Sequence, residues 1–383
     1  MPGVSGHAYP WDVLGDPAFP GRVRDLGVDG VTLAAAYHST RAATPLHPAH
    51  QTVDASHAAL YRPVRPEVWD GRRLRPLAPA WLADPDPFGA AATTLDAAGL
   101  PVTAWIVLTH STRLGTAYPD VAVTNCFGER YPYALCPAWA EVRDYATTLT
   151  AEALRDVPVA GVSLEACGQL GLAHLGHHEK TEGAWDADAA RVLSICCCPA
   201  CRDGWRARGL APAGVLAALR AAVRADAGRE PASASGAAGL DPALGAALLA
   251  TRREATDALR AQVLAAVREH APGVPVTLHA QPDPWATGPS PGLTPGAVRQ
   301  VDALLVPAWP TTPASVDAVA RAARTGAVVD AYVTVLPPAE PAAVVGHARR
   351  LVAAGARRLS LYHLGLAGRR RQALLADVVA ALR

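Results

Sequence analysis

Eight short runs of β-branched and aliphatic residues recur along the chain, each entered from a Gly or Pro turn and followed by polar loop residues and a helical pattern. They fall near 4–9, 29–36, 102–109, 160–165, 274–280, 302–307, 327–334 and 357–363. A strand that passes through a helix to the next strand rejoins its sheet in parallel, through a right-handed crossover. Eight such units close the sheet on itself, so the expected fold is α/β, a (β/α)8 TIM barrel. The 383 residues exceed a minimal barrel, but insertions carry such domains beyond about 400 residues, and a single domain over 1–383 is expected.

Two segments are surplus to the eight units. Residues 38–85 hold HSTRAATPLHPAHQ, a short strand-like HAALYRPV and a Pro-rich return, which predicts a long loop after the second strand, over the mouth of the barrel. Residues 205–270 read as two or three Ala-rich helices broken around DAGREPASASGAAGLDP, a helical insertion after the fourth strand. The low-complexity stretch 226–243 within it is the expected mobile loop.

Charge narrows the function. Charged residues make up 18% of the chain and the formal net charge is +1, so there is no basic field to hold nucleic acid or an anionic membrane. No apolar run reaches bilayer-spanning length, and the start, MPGVSGHAYPWDV, lacks a basic segment leading into an apolar one. A cytoplasmic protein is expected. Phosphate-cradling Gly-rich loops, a Gly-x-Ser-x-Gly elbow and a dinucleotide fingerprint are all missing, which argues against nucleotide and flavin cofactors.

Four of the seven cysteines crowd into 196–201. In ICCCPACRDGW, Cys196-x-Cys198-x-x-Cys201 spaces three thiolates so that they can converge on one tetrahedral zinc ion. Cys136 is the expected fourth ligand, because the loops after strands three and four are neighbours on the rim; Cys126 and Cys167 are poorer substitutes, and Cys197 should point elsewhere. The bland alternative is a set of small buried thiols.

Taken in order, Cys136-Pro137 after strand three, Leu164-Glu165 ending strand four, Cys196, Cys198 and Cys201, and then Trp205 resemble the pattern of family 42 glycoside hydrolases, zinc-containing β-galactosidases with a barrel fold. The resemblance covers residues 136–205. It implies Glu165 as a catalytic acid/base and a zinc that is structural. Two positions depart from it: Leu164 stands where an Asn is expected, and strand seven, AVVDAYVTVLPP, lacks the nucleophilic Glu. The departures imply a remote or diverged relative.

Barrel chemistry sits at the C-terminal ends of the strands. Glu165 closes the apolar AGVSLE, where an ionised carboxylate is costly to bury, and burial raises its pKa toward the range of a proton donor. A salt-bridged structural carboxylate is the alternative. Asp330 on strand seven is the expected partner by strand position, followed by Asp283 and, more weakly, Asp12 and Asp120. Tyr37, His38, His110, His279, Trp309, Tyr332 and His363, with His7 and Tyr362, gather at strand ends as a sugar-binding set. The loop GLAHLGHHEKTEGAW, with His174, His177, His178, Glu179 and Glu182, is expected to face the substrate.

The expected activity is that of a glycosidase-like hydrolase on a small-molecule carbohydrate. A metal-dependent isomerase or lyase using the strand-end histidines, and a catalytically inactive sugar-binding barrel, are the rivals.

Overall fold

The computed structural model describes residues 2–174, 180–181, 183–226 and 240–383. Eight parallel strands form the centre: β1 (Gly3–Ala8), β2 (Gly30–Tyr37), β3 (Val102–Val107), β4 (Gly161–Glu165), β5 (Val276–His279), β6 (Ala303–Pro307), β7 (Val329–Thr334) and β8 (Arg358–Tyr362). Each strand pairs with its sequence neighbours, and β1 pairs with both β2 (Ser5 opposite Gly30) and β8 (Gly3 opposite Arg358). The sheet is therefore a closed barrel, and the (β/α)8 fold expected from the eight runs is the fold observed.

Side-chain alternation sets the lumen. Ser5 and His7, Thr103 and Trp105, Ser163 and Glu165, Tyr332, and Ser360 and Tyr362 lie on the inner face, stacked in layers from bottom to mouth. β2 breaks the alternation: its register with β3 slips between Ala34 and Ala36. A bulge of this kind changes the phase of the side chains that follow, and Tyr37 consequently turns inward onto Trp105.

Proline, abundant here, marks helix starts rather than breaks. Pro87, Pro199, Pro242 and Pro313 each occupy the first turn, where the missing N–H is not needed. Asp86 and Asp241 cap the helices Pro87–Ala97 and Pro242–His270, accepting from Gly89 N and Leu244 N.

The loop after β2 contains a hairpin (Thr40–Ala43 with Thr52–Ala55) and a two-residue strand, Ala59–Leu60, antiparallel to the end of β2. His47 donates from Nε2 to the Leu14 carbonyl at 3.0 Å, anchoring this loop on the segment that follows β1, at the mouth end.

After β4 come helices Ala187–Leu193, Pro199–Arg206, Pro212–Asp226 and Pro242–His270. The 29-residue Pro242–His270 lies along Ala140–Leu154 and occupies the ring position between β4 and β5. The shorter three enclose a small core of their own, built on Val192, Ile195, Trp205, Val215 and Leu219. The segment expected as an insertion over 205–270 thus divides between the outer layer and the ring, and the added layer reaches back to Ala187. Most of the expected mobile loop, 227–239, lies outside the described residues. No helix among the described residues is long and apolar enough to cross a membrane.

Candidate active site

Glu165 is the last residue of β4, and its side chain is 6% exposed, inside the barrel near the mouth. The turn after it is tightly held: Ala166 takes a left-handed conformation (φ 52°) that costs a non-glycine residue on the order of 1 kcal/mol. Thr109 Oγ1 lies within hydrogen-bond distance of the carbonyls of both Ala166 (2.8 Å) and Gly168 (2.9 Å), and its single proton serves one or is shared between them.

One carboxylate oxygen, Oε2, accepts from the Trp105 indole at 2.8 Å and lies 3.6 Å from His279 Nδ1. Burial pushes the Glu165 carboxyl up to about 8, against a smaller downward pull from the Trp105 hydrogen bond. No carboxylate among the described residues contributes to that shift, so desolvation rather than a neighbouring negative charge keeps the acid protonated. Nor does any cation among the described residues figure in the shift. Burial drives His279 and His363 down to about 3 and His38 to about 4, leaving neutral imidazoles around the mouth.

Trp105 was legible only as a core residue, yet a tryptophan buried on a barrel's inner face needs an acceptor for its N–H. Replacing it with Phe removes the one hydrogen bond that favours the charged form. The Glu165 pKa should then rise above its present value, read as an upward shift of the carboxyl infrared band's titration.

Aromatic and imidazole rings surround the acid. Tyr332 packs on His7 (4.6 Å between centroids) and edges onto His279 (5.6 Å); Trp309 stacks on Tyr362 (4.7 Å). On the opposite side Tyr37 stacks on His38 (4.1 Å), and His38 adjoins His110 (4.3 Å), whose Nε2 meets His174 Nε2 at 2.9 Å. The hydroxyls of Tyr37 and Tyr362 both meet that of Tyr9, at 3.2 and 3.3 Å. Five polar atoms in this collar are buried without a hydrogen-bond partner: His7 Nε2, His110 Nδ1, His279 Nδ1, Trp309 Nε1 and His363 Nε2. Such atoms need water or a ligand to satisfy them, and five of them gather in this one collar.

Of the sequence-nominated residues, Tyr37, His38, His110, His279, Trp309 and Tyr332 meet at the mouth with Glu165. His363 stacks behind Tyr9 (4.2 Å), with Nδ1 3.7 Å from Asp12. Tyr9, the residue after β1, joins the two sides of the collar and was not foreseen. His177, His178, Glu179 and Glu182 lie outside the described residues.

Asp330 does not join Glu165. It is the second residue of β7, one layer below Tyr332, and accepts from Arg358 Nε at 2.8 Å at the base of the barrel, where residues serve stability. Its place in the strand, rather than the strand's identity, decides this. Asp330→Asn should change the unfolding free energy by no more than about 1 kcal/mol, because burial already pushes this carboxyl up against the pull of the half-exposed Arg358, and should leave the Glu165 titration unmoved. The other carboxylates fare no better. Asp283 faces Arg191 (3.5 Å) and Asp120 is held by Arg73 (2.7 Å), both away from the collar. Asp12 is buried against the Gly365 backbone, where even a Cβ would collide, and is pushed up to about 7 by desolvation.

The four cysteines converge as the spacing predicts. Sγ of Cys136, Cys196, Cys198 and Cys201 all lie within 4.8 Å of one another, with Cys136 3.6 Å from Cys201 and 3.7 Å from Cys198. Four sulfurs bonded to one ion at about 2.3 Å sit roughly 3.8 Å apart, so this buried cluster could hold a metal. Arg252 places positive charge beside Cys196 and Cys201, as an anionic thiolate cluster requires. The fourth thiol, Cys136, follows directly on the hairpin after β3 (Ala122–Thr124 with Arg130–Leu135), which sequence reading missed; Cys197 N donates to Thr124 O at 2.6 Å, locking the two loops together. The Cys197 side chain turns away to the Ile195 carbonyl, and Cys126 and Cys167 stay outside the cluster. Among the described residues this is the one converging group of metal-capable side chains; the rim histidines form no second one.

No model of a protein family matches the sequence, and neither does any curated protein. Solved structures do match. α-L-Fucosidase isoenzyme 2 from Paenibacillus thiaminolyticus superposes with a TM-score of 0.61 at 15% identity, over 99% of this chain and 49% of the fucosidase. The PgaB (BpsB) glycoside hydrolase domain from Bordetella bronchiseptica gives 0.59 at 17% identity over 99% of both chains. A β-galactosidase from the haloarchaeon Halorubrum lacusprofundi gives 0.61 at 13%, over 99% of this chain and 57% of the other. These likenesses show the fold. The chain spans about half the length of the fucosidase, and at such identities the TIM barrel is what the proteins share.

Proposed function

We propose that this barrel is a glycosidase-like enzyme acting on a small sugar or glycoside, with protonated Glu165 as the general acid. What carries the reading is the combination at the mouth: a buried carboxyl held neutral by desolvation, ringed by aromatic faces and by polar atoms that lack a partner. Trp105 fixes Oε2 of Glu165, which leaves Oε1 to hand its proton to a departing glycosidic oxygen. Tyr332, Trp309 and Tyr362 offer faces for the apolar side of a pyranose ring, and the neutral histidines offer donors and acceptors for its hydroxyls. The glycoside hydrolases among the fold's neighbours agree with this reading without specifying a substrate.

The cysteine cluster fits a structural zinc held by Cys136, Cys196, Cys198 and Cys201. Zinc there would cross-link the loops that follow β3 and β4. It would supply no chemistry at the mouth, because all four thiolates are committed to the ion.

A second reading, a sugar-binding barrel without turnover, draws on one observation: no carboxylate among the described residues acts on Glu165. Retaining hydrolysis places its two carboxyls about 5 Å apart. Incubating the purified protein with a panel of aryl glycosides, beside calorimetric titration with the free sugars, separates the readings. Phenol release that Glu165→Gln abolishes supports the enzyme; saturable binding with no release from any glycoside supports the binder and overturns the catalytic assignment.

A further inference from the structure

A second cleft lies on the outer flank of the barrel, between helix Pro242–His270, the segment that follows β5, and helix Pro313–Ala323. Its volume is about 580 Å³. Pockets of roughly 300–1,000 Å³ are the size that takes small molecules. Four arginines line it, Arg253, Arg299, Arg321 and Arg324, and no carboxylate does. The acids beside Arg253 on the same helix are already engaged: Glu254 with Arg208 at 2.7 Å, and Asp257, one turn on, with Arg260 and the Thr294 hydroxyl, each at 2.5 Å. None of the four guanidinium groups forms an ion pair with a carboxylate among the described residues. Arg253 Nε is in addition buried with no hydrogen-bond partner.

Convergence of four permanent charges from three separate segments has an electrostatic cost in a chain whose net charge is only +1. Some arginines elsewhere are answered by acids, as Arg65 is by Glu152 and Arg358 by Asp330, and others are not; what sets these four apart is that they line one cleft together. A guanidinium presents a planar fork of donors that matches the oxygens of phosphate, sulfate or carboxylate, and such pairs strengthen as water is excluded. The floor of the cleft, with Pro284 and Leu293, is apolar and suits the body of a ligand that carries the anion.

We propose that this cleft is a binding site for a small, multiply charged oxyanion ester, a sugar-sized body bearing phosphate or sulfate groups. The site is separate from the mouth and stands whether or not Glu165 is catalytic.

The test is calorimetric titration of the intact protein at low and at physiological salt with three probes: inorganic pyrophosphate, glucose 6-phosphate and a sulfated disaccharide. At least one probe should bind saturably at a single site, with affinity falling as salt rises. Arg253→Gln and Arg324→Gln should each weaken that binding at least tenfold with unfolding midpoints unchanged, whereas Glu165→Gln should leave it unaltered. Preference for the phosphorylated or the sulfated probe identifies the source of the anion. Absence of saturable binding by all three, equal binding by the variants, or affinity confined to long polyanions such as duplex DNA would each overturn the proposal. The arginines would then be solvated charges that complement helix ends.

Discussion

Glu165→Gln should cut turnover of any glycoside that the protein accepts by about 10²- to 10⁴-fold, while fold and sugar binding persist. Glutamine keeps the volume and the acceptor oxygen for the Trp105 indole but has no proton to give. Two pH signatures distinguish this from a structural role. The acid works in its protonated form, so the rate in the parent should hold up to about pH 8 and fall about tenfold per unit above it. Stability should carry the mirror image. The Glu165 pKa is raised from its usual 4.5 to about 8 on folding. Below 4.5 both states are protonated and nothing changes; between 4.5 and 8 the unfolded chain sheds a proton that the folded one retains, so stability drops as pH rises, and it levels off beyond 8. The total is on the order of a few kcal/mol. Gln does not titrate, so the variant should overtake its parent in thermal stability at alkaline pH. A parent and variant with superimposable stability profiles from pH 5 to about 9 would refute the claim that Glu165 is buried and protonated.

That gain of stability on losing a carboxylate is the reverse of what a fully compensated salt-bridged acid would show; Asp330 is likewise pushed up by burial, but there Arg358 pulls it back. Both acids sit on inner faces of barrel strands. Asp330 is paired with Arg358 at the base; Glu165 has only an indole and a neutral imidazole. Strand position along the barrel axis, bottom against mouth, separates the acid paired with an arginine from the acid held by an indole.

The sequence carried the strands well because period-two alternation and Gly/Pro punctuation are local signals. It carried Glu165 for a related reason, as one charge at the end of an apolar run. Depth within a strand was legible in part: Asp330 stands early in AVVDAYVT, which already marks it as deep for a residue of the mouth, and it lies one layer below Tyr332. Trp105 and Tyr9 escaped notice because a buried aromatic reads the same whether it packs passively or offers its polar atom to a site. Tyr37 reaches the lumen only through the slip at Ala34 to Ala36, a register event set by the pairing of β2 with β3. The cysteine set was visible at 196–201 by spacing alone. Its fourth member came from reasoning about neighbouring loops, and the hairpin that delivers it has no pattern distinguishable from loop in a proline-rich chain.

Cys198→Ser should release one equivalent of zinc per chain, as measured by inductively coupled plasma mass spectrometry, and lower stability by several kcal/mol. The four sulfurs are buried and drawn from two loops, which the cluster joins together with backbone hydrogen bonds and those of the Tyr131 and Tyr133 hydroxyls. Zinc bound there would stabilise the folded chain by mass action; for isolated structural sites its apparent contribution is about 10–16 kcal/mol near neutral pH. In this barrel only part of that is at stake, since the strands of the closed sheet hold without it. Thiolates must be deprotonated to bind, so the metal should leave as pH falls, and a strong chelator should destabilise the parent but not the variant. Cys197→Ser, whose side chain faces the Ile195 carbonyl, is the control and should retain its zinc. If chelator removes an ion from Cys198→Ser as readily as from the parent, and activity leaves with it, the metal belongs to the histidine-lined mouth and the structural role of the four cysteines is wrong. Retention of both zinc and stability by Cys198→Ser would equally exclude the four-sulfur site.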